Sequence, residues 1–339
     1  MKLSTQTLLL SLPVALAFRP ASEEINLTPR FAADQTYAIS QAFNMSMSLD
    51  DISATMDGQE MLDGAVEFDM EMEMQTDITE TIMEVRDGEI AKMQVTVDSM
   101  DMAVTGEVNA MGQGESIDEN PDMPVVGRTV ELTIDEDGEI KRKDVTKDVE
   151  APLSDAEMNM VSHQNHFEML VPEGPVEEGK AFELQPNWEE IMDQMMSSMD
   201  TGEVEAEQMA MMESMMDTMM EAMAFEAVGK VSKVEEGVAT VDYEVNVTMS
   251  IDDLMEIIMQ AAPPEAADQI PPVNAQLEVS ADMTATALFN IELGQFQSIE
   301  MAGEFEVNIS GDMDMGGAAG EASATMSGEF EGKSTIEKN

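Results

Sequence analysis

The chain has 339 residues, of which 71 are Asp or Glu and 15 are Lys or Arg, so its formal net charge at pH 7 is −56. A surface with this charge repels phosphate backbones and anionic lipid headgroups, which argues against nucleic-acid binding. There is no cysteine, which excludes disulfides, thiolate metal sites and thiol nucleophiles. Hydrophobic residues make up 43% of the chain and aromatic residues 4%, enough apolar material for a core.

Residues 1–17 have the pattern of a short signal peptide. Lys2 precedes an apolar run over residues 8–16, and the small residues at the end of this run predict cleavage after Ala17. The run is too short to cross a bilayer, and no later stretch approaches the roughly 20 apolar residues of a transmembrane helix. We therefore expect a periplasmic or secreted protein that begins with a lead over residues 18–36.

The first β-rich half is expected over residues 37–152. Apolar and polar residues alternate along residues 37–49 and 66–78, which is typical of half-buried strands with acids toward solvent and methionines toward the core. Asp87-Gly88 lies between two further strand-like runs and predicts a β-hairpin. Gly, Asn and Pro in residues 106–124 indicate a loop.

The acidic stretch 135–139 is the best local candidate for a calcium site. If Gly138 were the loop glycine of an EF-hand, Thr133 and Asp144 would hold the first and last ligand positions, and neither fits. Strand-like residues precede the stretch, so Asp-Gly here favours a second hairpin. The acidity as a whole is interpreted as a solvated surface adapted to salt-rich, halophilic conditions.

A helical, Met-rich segment is predicted over residues 153–225. Ser154 and Glu157 form a capping box that opens a helix to about residue 170. Two more helices are expected over residues 188–199 and 203–225. Residues 226–339 return to strand-like alternation and form the second β-rich half.

Two parts of the chain are similar to one another. Residues 44–52 match 246–254, and the strand–turn–strand of 66–97 corresponds to that of 275–306. The similarity suggests two related halves, although chance in an acidic, Met-rich chain is the alternative. The predicted fold class is α+β: a curved antiparallel β-sheet, in one or two sheets, with Met-rich amphipathic helices inserted or packed on one face.

The order of these elements supports a family resemblance. A signal peptide, strand pairs with Asp-Gly turns, a Pro–Pro-Val–Gly–aromatic pattern over residues 172–182 and more strand pairs resemble uncharacterised exported bacterial proteins. That group is similar to the lipoprotein-carrier type of fold, in which a curved antiparallel sheet is closed by helices over an apolar cavity. The resemblance implies no catalytic residues.

Methionine is the most informative anomaly, with 37 residues in the chain. Between residues 192 and 223 the methionines follow the spacing of one helix face. Three interpretations remain open: an ordinary core, a groove for a hydrophobic ligand or protein partner, and a soft-metal site. The residues expected to line the ligand side are Met212, Met216, Met219, Met220 and Met223.

The metal alternative is periplasmic Cu(I) binding through methionine and histidine. Met160, His163, His166 and Met169 recur every three residues. Because an α-helical stripe with this spacing drifts by about 60° per step, two or three of the four side chains are expected to reach one ion.

Enzymatic motifs are absent from the sequence. There is no hydrolase elbow, Walker loop, dinucleotide fingerprint or zinc-protease motif. Sugar sites commonly use aromatic rings, and this chain has one Trp and two Tyr. We therefore predict a non-enzymatic exported protein without a cofactor, which binds a hydrophobic ligand or partner. The further alternative is an acidic structural or surface protein that binds no ligand.

Overall fold

The computed structural model describes residues 24–57, 59–63, 66–110, 113–121, 123–135, 140–149, 151–161, 170–184, 220, 222–252, 273–314 and 319–339. Over these ranges the chain forms fifteen strands and one short helix. The antiparallel β-sheet of the predicted α+β fold class is thereby confirmed. The described chain is nearly all β-structure, however, and it does not support the predicted Met-rich amphipathic helices.

The strands differ greatly in length. The first half contains β1 (Glu24–Ile25), β2 (Thr36–Met56), β3 (Gln59–Asp63), β4 (Val66–Arg86), β5 (Glu89–Ala110), β6 (Gln113–Glu119), β7 (Thr129–Ile134) and β8 (Ile140–Asp144). The helix α1 (Asp155–Asn159) and the short strands β9 (Val176–Glu177) and β10 (Ala181–Glu183) follow. The second half contains β11 (Met223–Glu235), β12 (Val238–Ile251), β13 (Val273–Asn290), β14 (Gln295–Asp314) and β15 (Ala319–Lys338).

Thirteen of these strands form one antiparallel sheet. Its order is β10-β11-β12-β13-β14-β15-β2-β4-β5-β7-β8, with β3 paired to β2 and β6 paired to β5. β1 and β9 make a separate two-stranded sheet. The two halves of the chain join where β15 pairs with β2, in a register that runs from Lys338 opposite Tyr37 to Gly320 opposite Met56.

Tight turns connect the long strands. Asp87 and Gly88 join β4 to β5 with φ values of 55° and 99°, and Glu236 and Gly237 join β11 to β12 with 50° and 80°. Two successive positive φ angles match the right-handed twist of the flanking strands, which is why Gly follows an acidic residue here. The Asp87-Gly88 hairpin is confirmed. β7 and β8 pair as the second hairpin requires, while residues 136–139 lie outside the described residues.

The two faces of the sheet have opposite chemistry. Over residues 67–74 of β4 the exposed side chains are Glu67, Asp69, Glu71 and Glu73, and the alternate residues are half-buried Phe and Met. Successive side chains of a strand point to opposite faces. The alternation in sequence therefore becomes one acidic face and one apolar face, as predicted.

Two buried clusters cover the apolar face near the β4–β5 and β11–β12 turns. The first-half core contains Ile39, Ile78, Ile82, Met93, Val95, Val97, Val130 and Leu132 from the sheet, with Val125, Leu153 and Val161 from connecting segments. The second-half core contains Val231, Val241, Tyr243, Ala287, Phe289, Phe296 and Ile299 from the sheet, with Ile25, Leu27, Val176 and Leu184 from other segments.

The first predicted helix is much shorter than expected. The capping box is confirmed, because the Glu157 carboxylate accepts from the Ser154 N–H at 2.6 Å and the Ser154 Oγ accepts from the Glu157 N–H at 3.3 Å. However, α1 ends at Asn159, so the prediction of a helix to residue 170 is wrong. After the helix, Val161, 2% exposed, packs in the first-half core.

Other boundaries also differ from the prediction. Met223 begins β11 and pairs with Met249 of β12, so the expected helix does not extend to residue 225. β5 continues to Ala110 and β6 adds a strand beside it, where a loop was predicted. The predicted helix 188–199 and residues 203–219 of the next lie outside the described residues. Among the described helices, none is long and apolar enough to cross a membrane.

Candidate functional site

A row of polar side chains divides the apolar side of the sheet. Ser334 of β15, Gln41 of β2 and Thr76 of β4 lie opposite one another in register. Below this row, toward the Asp87-Gly88 turn, lie the two buried cores. Above it, the apolar side continues along the same strands without belonging to either core cluster.

We call the region above the polar row the upper apolar face. Its side chains are half-buried. They are Phe43, Met45, Met47, Met70, Met72, Met74, Met102, Val104, Leu277, Val279, Phe305, Val307 and Phe330. The strand registers place them in continuous cross-strand lines, one of which runs through Ala281, Phe305, Gly328, Met47 and Met70.

Glycines on this face provide room for aromatic rings. A Cβ atom at Gly303 would meet the Phe330 ring at 2.5 Å and the Asp282 carbonyl oxygen at 2.7 Å. Gly328 stands in the same relation to the Phe305 ring. The Phe330 ring also stacks on Phe43, with centroids 6.4 Å apart. Aromatic rings thus lie flat across neighbouring glycines, as in other sheets where an aromatic residue covers a glycine.

Six of the thirteen side chains of the upper apolar face are methionines. Met45 is opposite Met72, Met47 is opposite Met70, and Met74 is opposite Met102. We call these six residues of β2, β4 and β5 the thioether cluster. The sequence pattern places these methionines only on the inward side of strands and does not identify the cluster as a site. The signal available was the Met-x-Met-x-Met alternation in residues 70–74.

The polar row carries two buried hydroxyl groups with no hydrogen-bond partner in the described structure. Thr76 is 7% exposed and Ser334 is 6% exposed, and neither side-chain oxygen is paired. A buried hydroxyl without a partner costs about 1–3 kcal/mol. These two unpaired hydroxyls lie at the lower edge of the upper apolar face.

The opposite, acidic face forms a groove of 1130 Å³. Residues of seven neighbouring strands, β13, β14, β15, β2, β4, β5 and β6, line the groove. Among them are Ser46, Asp69, Glu71, Asp282, Glu304 and Glu329. The described residues contain no group of three or more His, Asp or Glu arranged to hold a metal ion. The groove can concentrate cations near the surface, but its carboxylates do not form a coordination site.

The predicted ligand-lining residues fall into two groups. Met223 lies on β11, half-buried, in line with Val279 and Val307 across the sheet, and so borders the upper apolar face. Met220 is half-buried. Met212, Met216 and Met219 lie outside the described residues.

The predicted metal site is only partly described. Met160 follows α1 and is 45% exposed, whereas His163, His166 and Met169 lie outside the described residues. The four residues therefore stay a prediction, without described geometry to support a shared ion.

No family model matches this chain, and no curated protein matches it. An outer-membrane channel from Pseudomonas putida F1 has 8% identity and a TM-score of 0.14, covering 91% of this chain and 98% of the channel. OpdQ of Pseudomonas aeruginosa has 6% identity and a TM-score of 0.15, covering 90% and 98%.

A third solved structure, the outer-membrane protein OpdK of Pseudomonas aeruginosa, has 6% identity and a TM-score of 0.12, covering 90% of this chain and 99% of OpdK. These TM-scores are far below those shared by two chains of one fold. The likenesses therefore carry no argument about function, and the resemblance to lipoprotein carriers is not shown by them.

Proposed function

We propose that this chain is an exported, non-enzymatic binding protein that holds a neutral long-chain lipid against the upper apolar face. The observation that carries the proposal is the position of this face outside both core clusters, along strands whose other halves are fully packed. Apolar side chains are normally used to build a core, so a large apolar surface apart from it suggests a binding surface.

Side-chain chemistry supports an adaptable site. Methionine is unbranched and polarizable, so its side chain adjusts to irregular apolar shapes. The flat rings of Phe305 and Phe330 add rigid area next to the methionines. An extended acyl chain can lie along such a surface and contact several strands at once.

Charge favours an uncharged ligand. Lys333 projects on the acidic side of the sheet, where it pairs with Glu300, and the upper apolar face as defined contains no basic residue. With a net charge of −56, the protein repels fatty-acid anions. The buried hydroxyls of Thr76 and Ser334 suit a neutral acceptor, such as the carbonyl of an acyl ester.

The proposal is tested by displacement of the neutral fluorophore N-phenyl-1-naphthylamine. We expect monoolein to displace the probe, and oleate to displace it at least tenfold less effectively. The test variant is Val279→Glu, which puts a charge on the upper apolar face. The matched control is Ser280→Glu, which puts the same charge on the next residue of β13, exposed on the acidic face.

Both variants must first show wild-type unfolding midpoints, so that lost binding reports the surface and not the fold. Val279→Glu is expected to weaken monoolein binding at least tenfold, and Ser280→Glu to leave it unchanged. Equal binding by both variants, or no binding by the wild type, would overturn the proposal. Flotation with phosphatidylcholine vesicles without uptake of monomeric lipid would assign the face to a membrane surface instead.

A further inference from the structure

We propose that the thioether cluster is a binding site for a monovalent soft metal ion, Cu(I) or Ag(I). Met45, Met47, Met70, Met72, Met74 and Met102 form three cross-strand pairs on three adjacent strands of one sheet face. This site is distinct from the Met160–Met169 stretch, and it does not depend on lipid binding by the rest of the upper apolar face.

Register places the methionine side chains next to one another across neighbouring strands. Directly opposed residues of antiparallel strands have Cβ atoms about 4.5–5.5 Å apart, and diagonal neighbours lie about 7–8 Å apart. Met45 faces Met72, and the neighbouring pair Met47 and Met70 lies two residues along both strands. Because the side chain of methionine has three rotatable bonds, three of these four sulfurs can converge on one ion.

The donor set selects the metal. Thioethers are soft ligands that favour Cu(I), whereas Ca²⁺ and Mg²⁺ require oxygen ligands. The acidic residues of the same strands, such as Glu71 and Glu73, point to the opposite face and do not compete as ligands. Binding involves no change in oxidation state, because the ion enters and stays as the monovalent species.

The acidic face contributes favourable long-range electrostatics. Asp69, Glu71 and Glu73 are exposed on the opposite face of β4, across the sheet from the thioether cluster. Their negative field lowers the cost of placing one positive charge among half-buried thioethers. The sheet thus provides soft ligands on one side and charge compensation on the other.

The test is a titration of the full chain with Cu(I), buffered by bicinchoninate under anaerobic conditions and read by native mass spectrometry. The wild type is expected to take up one Cu(I). Met45→Leu/Met72→Leu removes two sulfurs while retaining apolar side chains, and is expected to weaken Cu(I) binding at least tenfold. Met283→Leu/Met301→Leu, on β13 and β14, is the matched control and is expected to bind as the wild type does.

Lack of uptake by the wild type, or equal uptake by both double variants, would overturn the assignment. If His163→Ala abolishes Cu(I) uptake and Met45→Leu/Met72→Leu does not reduce it, the metal binds at the other predicted site. That result would also overturn the assignment. Monoolein binding is measured in the same samples. Because leucine preserves the apolar surface, failure of the metal site and failure of the lipid proposal remain separate results.

Discussion

The lower and upper parts of the same strands use different apolar residues. In β4, Ile78 and Ile82 below the polar row are 4% and 1% exposed, whereas Met70, Met72 and Met74 above it are half-buried. β2 shows the same change, from Ile39 to methionine. One strand therefore serves a packed core at one end and a looser apolar surface at the other.

The difference shows how residue choice separates stability from adaptability. β-Branched side chains have few rotamers and pack well on a pleated surface. Methionine keeps more freedom and fills variable shapes. The change occurs at Thr76 and Gln41, so the polar row marks the boundary between a surface that is fixed by packing and a surface that we assign to ligands.

The largest expected effect on stability comes from truncating a buried side chain below the polar row. Ile82→Ala removes a side chain that is 1% exposed and should lower the free energy of unfolding by about 3–4 kcal/mol, as a buried cavity does. Met72→Ala changes the same strand above the polar row. It should lower the free energy of unfolding by less than about half of the loss expected for Ile82→Ala. Urea unfolding of both variants checks this. Equal losses would contradict the division of the strand.

A second expected effect concerns Asp144, which fastens the segment after β8 to the lower part. Its carboxylate accepts from the N–H groups of Thr146 and Leu153, each at 2.9 Å, and lies 3.6 Å from the Arg128 guanidinium. Burial alone would raise the pKa of Asp144, but the hydrogen bonds from Thr146 and Leu153 and the charge of Arg128 hold it below its ordinary value.

Asp144→Asn should lower the free energy of unfolding at neutral pH by about 2–3 kcal/mol. Because the folded pKa is lowered, the stabilisation by Asp144 is complete above the unfolded pKa and is lost as pH falls through the folded pKa. The variant should therefore lose less stability than the wild type between neutral and acidic pH. Glu235→Gln is the control, since the exposed Glu235–Lys233 pair contributes little. A parallel shift at all pH values would contradict the account.

The third expected effect concerns the close contact between Gly303 and the ring of Phe330. Gly303→Ala places a Cβ against Phe330 and 2.7 Å from the Asp282 carbonyl oxygen, so we expect a loss of about 1–3 kcal/mol from overpacking. Gly174→Ala is the control, because a Cβ there meets no atom within 4 Å. Thermal unfolding distinguishes the two. An unchanged Gly303→Ala would show that the Phe330 ring is free to leave the sheet surface.

The smallest expected effect concerns the polar row. Thr76→Val replaces a buried, unpaired hydroxyl with a methyl group and should raise the stability of the ligand-free protein by up to about 1 kcal/mol. The same change should weaken monoolein binding but leave N-phenyl-1-naphthylamine binding intact, because that probe has no ester carbonyl. If the binding of both ligands is weakened equally, the polar row is not part of the binding site.

The strands and turns were largely predictable from local patterns. Alternation along residues 66–78 and the Asp87-Gly88 turn identify β4 and its hairpin, because side-chain period and turn conformation are local properties. The capping box at Ser154 was identified for the same reason. The alternation predicts a shorter strand than β4, because the pattern changes from Glu and Met to Thr and Ile near the polar row while strand pairing continues to Arg86.

The candidate site was less predictable. The pairing of β15 with β2 joins residues up to 301 positions apart, such as Lys338 and Tyr37, and no local pattern specifies that register. Without it, Phe330, Met45 and Met72 cannot be placed on one surface. The helical spacing of Met219 and Met223 also misplaced Met223, because strand pairing with Met249 overrides the local periodicity.

The most direct test of the central claim is native mass spectrometry of residues 18–339, purified from a periplasm without denaturation and again after extraction with organic solvent. If the upper apolar face holds a neutral long-chain lipid, the first spectrum will show several hundred daltons of added mass, and the second will lack it. Adding monoolein to the extracted protein should restore one bound molecule. A bare mass in every sample, with no uptake of monoolein, would contradict the account and leave the upper apolar face as structure alone.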